Sequence, residues 1–443
     1  MTRLFGTDGV RGRAGVELTE DLASRLGRAA VVVLGRHGAS RPSFVVGRDP
    51  RESGEWLEDA LVEGIRGAGG DAVLAGVEPT PAIAFLTTEL GATSGVVISA
   101  SHNPPEDNGI KFFGSNGMKL PDEIEDEIEA ALGDPARDAP EPGRVRPIGE
   151  AVARYLDHLV SAARTSLDGM RVVVDCANGA ASTLAPEMLR RLGARVNAIH
   201  ADPDGKNINE GCGALYPEVV GEEVVRIGAD AGVCHDGDAD RALFCDANGV
   251  VVDGDQVLAA SAIDLRDRGR LDGNIVVTTI MANLGFHHAM REAGIDVVSS
   301  KVGDRYVLED MMRIGAVVGG EQSGHVIFRE HATTGDGLLT AALFLSLAAS
   351  RGTTIEGLAS VMRRYPQVLV NVPVRDREAL EGSDDVWAAV RDAEAVLGEE
   401  GRILVRASGT EPLVRVMVEA ESEDRASSHA DAVAAAVRAS IGA

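Results

Sequence analysis

Two separated stretches of the chain share one outline, and that outline restricts the fold more than any other feature. Asp168-Gly169-Met170-Arg171-Val172-Val173-Val174-Asp175 is followed by Ala177-Asn178-Gly179-Ala180. Asp272-Gly273-Asn274-Ile275-Val276-Val277-Thr278-Thr279 is followed by Ala282-Asn283-Leu284-Gly285. Each reads as an Asp-Gly turn, an apolar strand, Ala-Asn and then a helix, which is a degenerate internal repeat of one α/β unit. The front of the chain has the same rhythm without those marks. A helical pattern over 22–34 precedes a strand at 43–47, a helix near 54–65, a strand at 72–74, a further helix and a strand at 95–98. Short apolar strands alternating with helices predict parallel sheets with helices on their faces.

From about Val368 the pattern changes. A strand at 368–372 precedes a helix around 386–397, strands 403–406 and 413–418 flank the turn 407–412, and an Ala-rich helix closes the chain. This is a small α+β domain with an antiparallel hairpin. At 443 residues the chain is too long for one ordinary core. The fold class is therefore α/β, with three related α/β domains over 1–150, 151–255 and 256–366 and a smaller C-terminal α+β domain over 367–443. Within the first, 121–132 reads as a helix with Ile124, Ile128, Ala131 and Leu132 on one face. Its acidic run is expected to be a solvated face, and 133–147, with four prolines, a linker.

Charge narrows the function. With 43 Lys+Arg against 69 Asp+Glu the net charge is -26, which repels nucleic acid and anionic membranes. A phosphorylated ligand would need a locally positive site. Cys176, Cys212, Cys234 and Cys245 show no CxxC spacing and read as reduced thiols of a cytoplasmic protein. The start of the chain lacks a signal-peptide apolar region, and no apolar stretch approaches the roughly 20 residues of a membrane span.

Two loops carry the strongest chemistry. The apolar run Val96-Val97-Ile98 stops at Ser99-Ala100-Ser101-His102-Asn103-Pro104, which presents the Ser101 hydroxyl beside the His102 imidazole. Ser101 alone is a turn former or helix cap; carrying phosphate, it adds roughly two negative charges and three acceptor oxygens. The second loop, His235-Asp236-Gly237-Asp238-Ala239-Asp240-Arg241, places carboxylates at alternate positions. Extended backbone would turn all three to one side, where they would repel one another unless a cation held them. Oxygen ligands suit a hard divalent ion such as Mg2+, with phosphate filling a remaining position. An EF-hand fails, because Arg241 and Ala247 stand where its glycine and glutamate belong. The alternative is an Asp/Gly surface turn.

Three weaker features complete the set. Arg406, Ser408, Gly409, Thr410 and Arg415 lie in or beside a tight turn that offers backbone N–H groups, hydroxyls and two guanidiniums to a phosphate, or else form a polar hairpin. Glu321 and Ser323, in Gly319-Gly320-Glu321-Gln322-Ser323-Gly324-His325, lie two apart and could both face a polyol. Arg11, Lys111 and Lys301 are either solvated cations or a joint positive field around an anionic substrate. No P-loop marks a nucleotide site and no Gly-x-Ser-x-Gly elbow surrounds Ser101.

Taken in order, Ser99–Pro104, Asp236–Arg241, Gly320–His325 and Arg406–Arg415 resemble the serine, metal, sugar and phosphate loops of the alpha-D-phosphohexomutase superfamily, over the whole chain. Ser99 departs from that pattern, where many relatives have threonine. The opening Leu4–Gly12, Asn207-Ile208-Asn209 with Cys212-Gly213, and Gln322 resemble the branch that acts on glucosamine phosphates. The resemblance implies four domains around a central cleft and interconversion of glucosamine 6-phosphate and glucosamine 1-phosphate, supplying amino-sugar precursors of bacterial cell walls. It implies a phosphorylated Ser101, one Mg2+ on Ser101, Asp236, Asp238 and Asp240, and a sugar 1,6-bisphosphate as activator and intermediate. Arg11, His102, Lys111, Arg241 and His325 would serve catalysis, with Lys111 and His325 as candidates for proton transfer. Lys301, Glu321 and Ser323 would bind sugar, and Arg406, Ser408, Gly409, Thr410 and Arg415 the phosphate that is not reacting. A hinge near Tyr365-Pro366 and a possible homodimer complete the expectation. The alternatives are another hexose phosphate, a metal-dependent phosphatase and a non-catalytic sugar-phosphate sensor.

Overall fold

The computed structural model describes residues 3–6, 8–133, 138–408 and 411–443. The chain forms two compact units: 1–281 with 295–361, and 282–294 with 362–443.

Three sheets of the first unit share one kernel. A central strand (Ser43–Arg48, Arg171–Asp175 or Ile275–Thr279) lies parallel to a neighbour on each side. One neighbour (Asp71–Val77, Arg195–Ile199 or Asp296–Ser300) follows it in sequence; the other (Ser94–Ile98, Ala231–Cys234 or Val318–Gly320) comes next. That last strand then turns back into an antiparallel partner: Asp107–Gly114, Leu243–Cys245 or Val326–Phe328. The Asp-Gly and Ala-Asn marks thus bracket the central strands of the second and third sheets, and the first sheet has the kernel without the marks. The central strands and the neighbours that lead into the antiparallel return are buried on both faces, Ser94–Ile98 at every residue, whereas the outer strands Arg195–Ile199 and Asp296–Ser300 are only part-buried.

Helix signals are local. Thr19 caps Glu20–Arg36 by accepting from the Leu22 N–H, and Ala23, Leu26, Ala30, Val33 and Leu34 form its buried stripe. Asp253 and Gln256 make a reciprocal cap at the start of Gly254–Asp267. In Gly337–Arg351 every residue from Gly337 to Ala348 is buried, so no polar face interrupts it.

Two expectations are corrected. The helix Asp122–Ala131 is not acidic toward solvent alone: Glu125 is buried, with its carboxylate 3.1 Å from Arg305 and 3.3 Å from Arg3. The acidic run faces arginines that sequence spacing could not bring to it. In the segment expected as linker, Val145–Pro147 adds a parallel edge strand beside Asp71–Val77. Its exposed residues carry no apolar alternation, which hid it.

The second unit contains an antiparallel sheet in the order Gln367–Pro373, Leu413–Ala420, Gly401–Ala407, backed by Asp384–Leu397 and Glu423–Ile441. Its core is built by Val372, Val414, Val416, Val418, Val433 and Val437 among others.

Candidate active site

Each of the three related sheets ends its last parallel strand in a loop before the antiparallel return. Those loops carry Ser101, the three aspartates, and Glu321 to His325. Ligands collect at such carboxyl ends of parallel strands, and in the first unit the structure brings all three loops together.

The aspartate loop is not extended, as its spacing suggested. It is a turn with Ala239 in the left-handed region at φ 58°, and the turn rather than strand alternation gathers the side chains. Asp236, Asp238 and Asp240 are buried, with carboxylate oxygens within 4.8 Å of one another. Three helices point their first N–H groups at this loop. The Thr80 amide donates to the Asp238 carbonyl at 3.0 Å, that of Ala180 to Gly237 at 2.8 Å and that of Gly337 to Ala239 at 3.0 Å. The positive ends of helices Thr80–Glu89, Ala181–Arg191 and Gly337–Arg351 therefore surround the acids, which helps a folded chain hold them close. Gly337 allows this approach: a Cβ there would lie 2.2 Å from the Arg241 carbonyl oxygen.

Ser101 is buried and its Oγ donates to Asp236 at 2.7 Å. His102 Nδ1 lies 3.3 Å from the same oxygen, and its imidazole is held neutral, down to about 4, by burial and by Arg241 and Arg11. Lys111 is buried with its ammonium 3.0 Å from Asp238 and 3.1 Å from Asp8. Burial opposes that charge, yet the two carboxylates prevail and keep Lys111 firmly protonated. Burial likewise pushes Asp238 up, but Lys111 and the Thr80 hydroxyl at 2.7 Å hold it well below the usual carboxylate range. Asp236 goes the other way, pushed well up by burial and by Asp240 and Asp238.

Arg241 Nε stands 3.9 Å from Asp236 and 3.8 Å from Asp240. His325 Nδ1 lies 3.4 Å from Asp240, while the Gly335 amide donates to its Nε2 at 3.1 Å. Gly335 packs flat on that ring, where a Cβ would sit 2.3 Å from Nε2. Arg11 pairs with Asp8 and reaches Asn103 Oδ1 at 3.5 Å. Glu321 accepts from the Gly303 amide at 3.1 Å. The buried Ser323 Oγ finds no hydrogen-bond partner among the described residues.

Lys301 is exposed, its ammonium 5.7 Å from the Tyr306 ring centroid. In the second unit Arg406 and Arg415 face each other across one ladder, where like charges repel, and Glu411 stands 3.5 Å from Arg415. Burial and Arg415 together lower the Arg406 pKa. Ser408 is buried there and its Oγ accepts from the Glu411 amide at 3.3 Å. Gly409 and Thr410 lie outside the described residues.

Sequence reasoning missed Asp8, Thr80, Lys119 and Asp304. Lys119 bridges Asp8 and Asp304, 2.6 Å from each, and Asp304 stands 3.9 Å from His325. Asp8 sits three residues before Arg11, a signal within reach; the other three depend on tertiary contact. The aspartate set fits a divalent cation on its own chemistry. Asp238 Oδ1 and Asp240 Oδ1 are buried and find no hydrogen-bond partner among the described residues, as oxygens awaiting a metal would.

Comparison with known proteins is consistent along the chain. Residues 2–137, 153–249 and 253–365 match the phosphoglucomutase/phosphomannomutase alpha/beta/alpha domains I, II and III, and 369–436 match the C-terminal domain. The chain is 54% identical over 451 residues to a phosphoglucosamine mutase of Frankia alni, covering 100% of this chain and 99% of that one. It is 55% identical over 442 residues to a phosphoglucosamine mutase of Thermobifida fusca, covering 99% and 98%. A crystal structure of a phosphoglucomutase/phosphomannomutase family protein from Burkholderia thailandensis superposes with a TM-score of 0.83 at 25% identity, covering 99% and 98%. The N-acetylphosphoglucosamine mutase of Aspergillus fumigatus, crystallised with GlcNAc-6P and magnesium, shares the fold at a TM-score of 0.71 and 20% identity, covering 98% and 95%.

Proposed function

Because this chain belongs to the phosphoglucomutase/phosphomannomutase family, we propose that it interconverts glucosamine 6-phosphate and glucosamine 1-phosphate through a phosphorylated Ser101. The enzyme class, an isomerase, follows from the relatives. The observation that carries the phosphoserine reading is the Ser101 Oγ held 2.7 Å from Asp236 within a buried aspartate triad.

In the first half-reaction the P–Oγ bond of phosphoserine breaks as a P–O1 bond to the sugar forms; the O1 proton leaves for a neighbouring base and the departing serine oxygen takes up a proton. The product is a 1,6-bisphosphate, which also serves to prime unphosphorylated enzyme. After the bisphosphate turns end for end, its P–O6 bond breaks as the P–Oγ bond re-forms; Oγ gives up its proton and O6 takes one up. Phosphoryl transfer needs line-up and charge neutralisation more than elaborate covalent chemistry. A divalent cation, Mg2+ in this reading, held by Asp236, Asp238, Asp240 and the Ser101 phosphate, would neutralise phosphoryl charge. Arg241 and Arg11 would bind the transferring group from the protein side, and neutral His102 would accept from or steer the serine oxygen. His325 would hold and return the sugar hydroxyl proton, while Lys111, kept protonated by Asp238 and Asp8, would donate a hydrogen bond to the reacting sugar oxygen. Glu321 and Ser323, with Lys301, would read sugar hydroxyls. Arg406, Ser408, Gly409, Thr410 and Arg415 would bind the second phosphate; the like-charged Arg406–Arg415 pair supports an anion there. We place the reaction in the cytoplasm, with which four free, buried cysteines agree.

Intact-mass analysis together with isomerisation assays on glucosamine, mannose and glucose phosphates tests the reading. The expected result is one phosphate on Ser101, preference for glucosamine phosphate, and loss of isomerisation in Ser101→Ala. Faster turnover of mannose phosphate would reassign the sugar.

A further inference from the structure

Ser101 sits in the left-handed region at φ 52°, where a serine is strained, and both sides of its backbone are gripped. Its amide donates to Ser99 Oγ at 2.9 Å, and Ser99 Oγ donates onward to Asp49 at 2.6 Å. Its carbonyl receives two donors, Arg51 Nη2 at 3.0 Å and Asn209 Nδ2 at 2.9 Å. The same two nitrogens also reach the Asn103 carbonyl, at 2.9 and 3.1 Å. Arg51 continues along the loop to the carbonyls of Pro104 and Asp107, and its Nε pairs with Asp49 at 2.9 Å. Arg51 is 1% exposed and Asp49 0% exposed, so this guanidinium is sealed from solvent and turned wholly to backbone and Asp49.

The two arms of this grip have different origins. Ser99, Asp49 and Arg51 belong to the serine-bearing sheet and its loops; Asn209 belongs to the loop after Arg195–Ile199, in the sheet that carries the aspartates. Asn209 is itself fixed, with its amide on the Ala177 carbonyl at 2.9 Å. We propose that Asn209 and the Ser99–Asp49–Arg51 chain are positioning residues that lock the Ser101 peptide in its strained conformation, fixing the line along which the serine oxygen meets the aspartates and the acceptor. This rests on the phosphoserine reading above. The lock sets how phosphoserine divides between sugar and water: a serine free to relax to right-handed backbone swings its phosphate off the acceptor line but leaves it open to hydrolysis.

Arg51 and Asp49 are poor targets, since removing either strands a buried charge. Asn209 and Ser99 are cleaner. Asn209 is left-handed at φ 61°, which glycine also accepts, so Asn209→Gly deletes the donor without new backbone strain. Ser99→Ala deletes the hydroxyl relay and Ser99→Thr keeps it. On full-length enzyme phosphorylated at Ser101, the measurements are kcat and KM for isomerisation, the rate at which the phosphate mass is lost to water, and the melting temperature. Displacement of the reacting group by about an ångström lowers kcat by roughly 10- to 100-fold. That loss is expected in Asn209→Gly and Ser99→Ala with KM nearly unchanged, more hydrolysis per turnover, and recovery in Ser99→Thr. A merely structural role would lower melting temperature and leave the kcat and hydrolysis ratio of folded enzyme alone; that result overturns the proposal. Should Asn209→Gly fail to fold, equal kcat in Ser99→Ala and Ser99→Thr would overturn it by itself. Ser101→Ala separates the two layers: full isomerisation in that variant sinks the phosphoserine reading, whereas its loss beside a normal Asn209→Gly sinks only the lock.

Discussion

Two acidic clusters of this protein look alike in sequence and differ in kind. The helix Asp122–Ala131 carries Asp122, Glu123, Glu125, Asp126, Glu127 and Glu129, and nearly every carboxylate there meets a donor the fold supplies. Arg3 lies 2.7 Å from Asp126 and 3.0 Å from Asp122, Arg305 pairs with Glu125 and Asp122, and the Leu4 amide donates to Glu129 at 2.8 Å. The loop Asp236–Asp240 has fewer acids, deeper burial, and two oxygens that accept no hydrogen bond among the described residues. Density of negative charge does not make a metal site. What does is burial combined with carboxylate oxygens that the protein itself leaves unsatisfied.

The sharpest way to break the contrast is to neutralise one acid on each side. Asp240→Asn should lower kcat by about 10³-fold or more if, as proposed, each aspartate helps to hold the charge-neutralising cation. Its melting temperature without metal should hold or rise, because a repulsive buried carboxylate has gone. Steady-state kinetics and calorimetry check both halves; a variant that keeps activity would move the metal elsewhere. A chelator should abolish isomerisation in the unmodified enzyme and Mg2+ should restore it, with helix pairs such as Arg305–Glu125 unaffected.

The division between the clusters was only half legible in the sequence. The kernel of each sheet could be read because central strands buried on both faces give continuous apolar runs, and in the second and third sheets because Asp-Gly and Ala-Asn mark the ends of that strand. Ser101 and the aspartates could be read because they directly follow such runs. What could not be read is pairing at a distance: Arg305 reaches Asp122 from 183 positions away and Lys119 reaches Asp304 from 185. The aspartate loop was recognised for the wrong local reason, since a left-handed Ala239 and not an extended backbone gathers its side chains. The arms on Ser101 escaped because Arg51 acts through carbonyl oxygens, which leave no trace in side-chain spacing.

Glu125→Gln is the partner experiment on the helix. Its carboxylate is buried beside Arg305, but Arg305 keeps Asp122, so the expected loss is about 1–3 kcal/mol, below that of an isolated buried pair. Denaturant unfolding measures it, and kcat of the folded variant should not change. A kcat loss as large as that of Asp240→Asn would mean that the helix belongs to the site.

Glu78 sharpens the same rule from a third position. Its Oε2 is buried and finds no hydrogen-bond partner among the described residues, and burial pushes its carboxyl up from 4.5 to about 7. A carboxyl raised in the fold favours folding fully below its unfolded value, and that contribution disappears as pH climbs through about 7. Glu78→Gln should therefore match the unmodified protein near pH 4 and melt higher near pH 8, by about 1–2 °C for a chain of this size. Equal melting temperatures at both pH values would show that Glu78 is solvated or paired.

The smallest effect belongs to Asp126→Ala. Asp126 is 61% exposed and its partner Arg3 36% exposed, so salt and water screen the pair despite its 2.7 Å separation. Arg3 also retains Asp122 and Glu125 when Asp126 is lost. The expected change in unfolding free energy is within about 0.5 kcal/mol, vanishing at high salt. A loss above about 1 kcal/mol that persists in high salt would mean that the arginines bind the helix acids as one cooperative network, with exposure no guide to which member matters. The contrast with the aspartate loop would then rest on the unsatisfied oxygens alone.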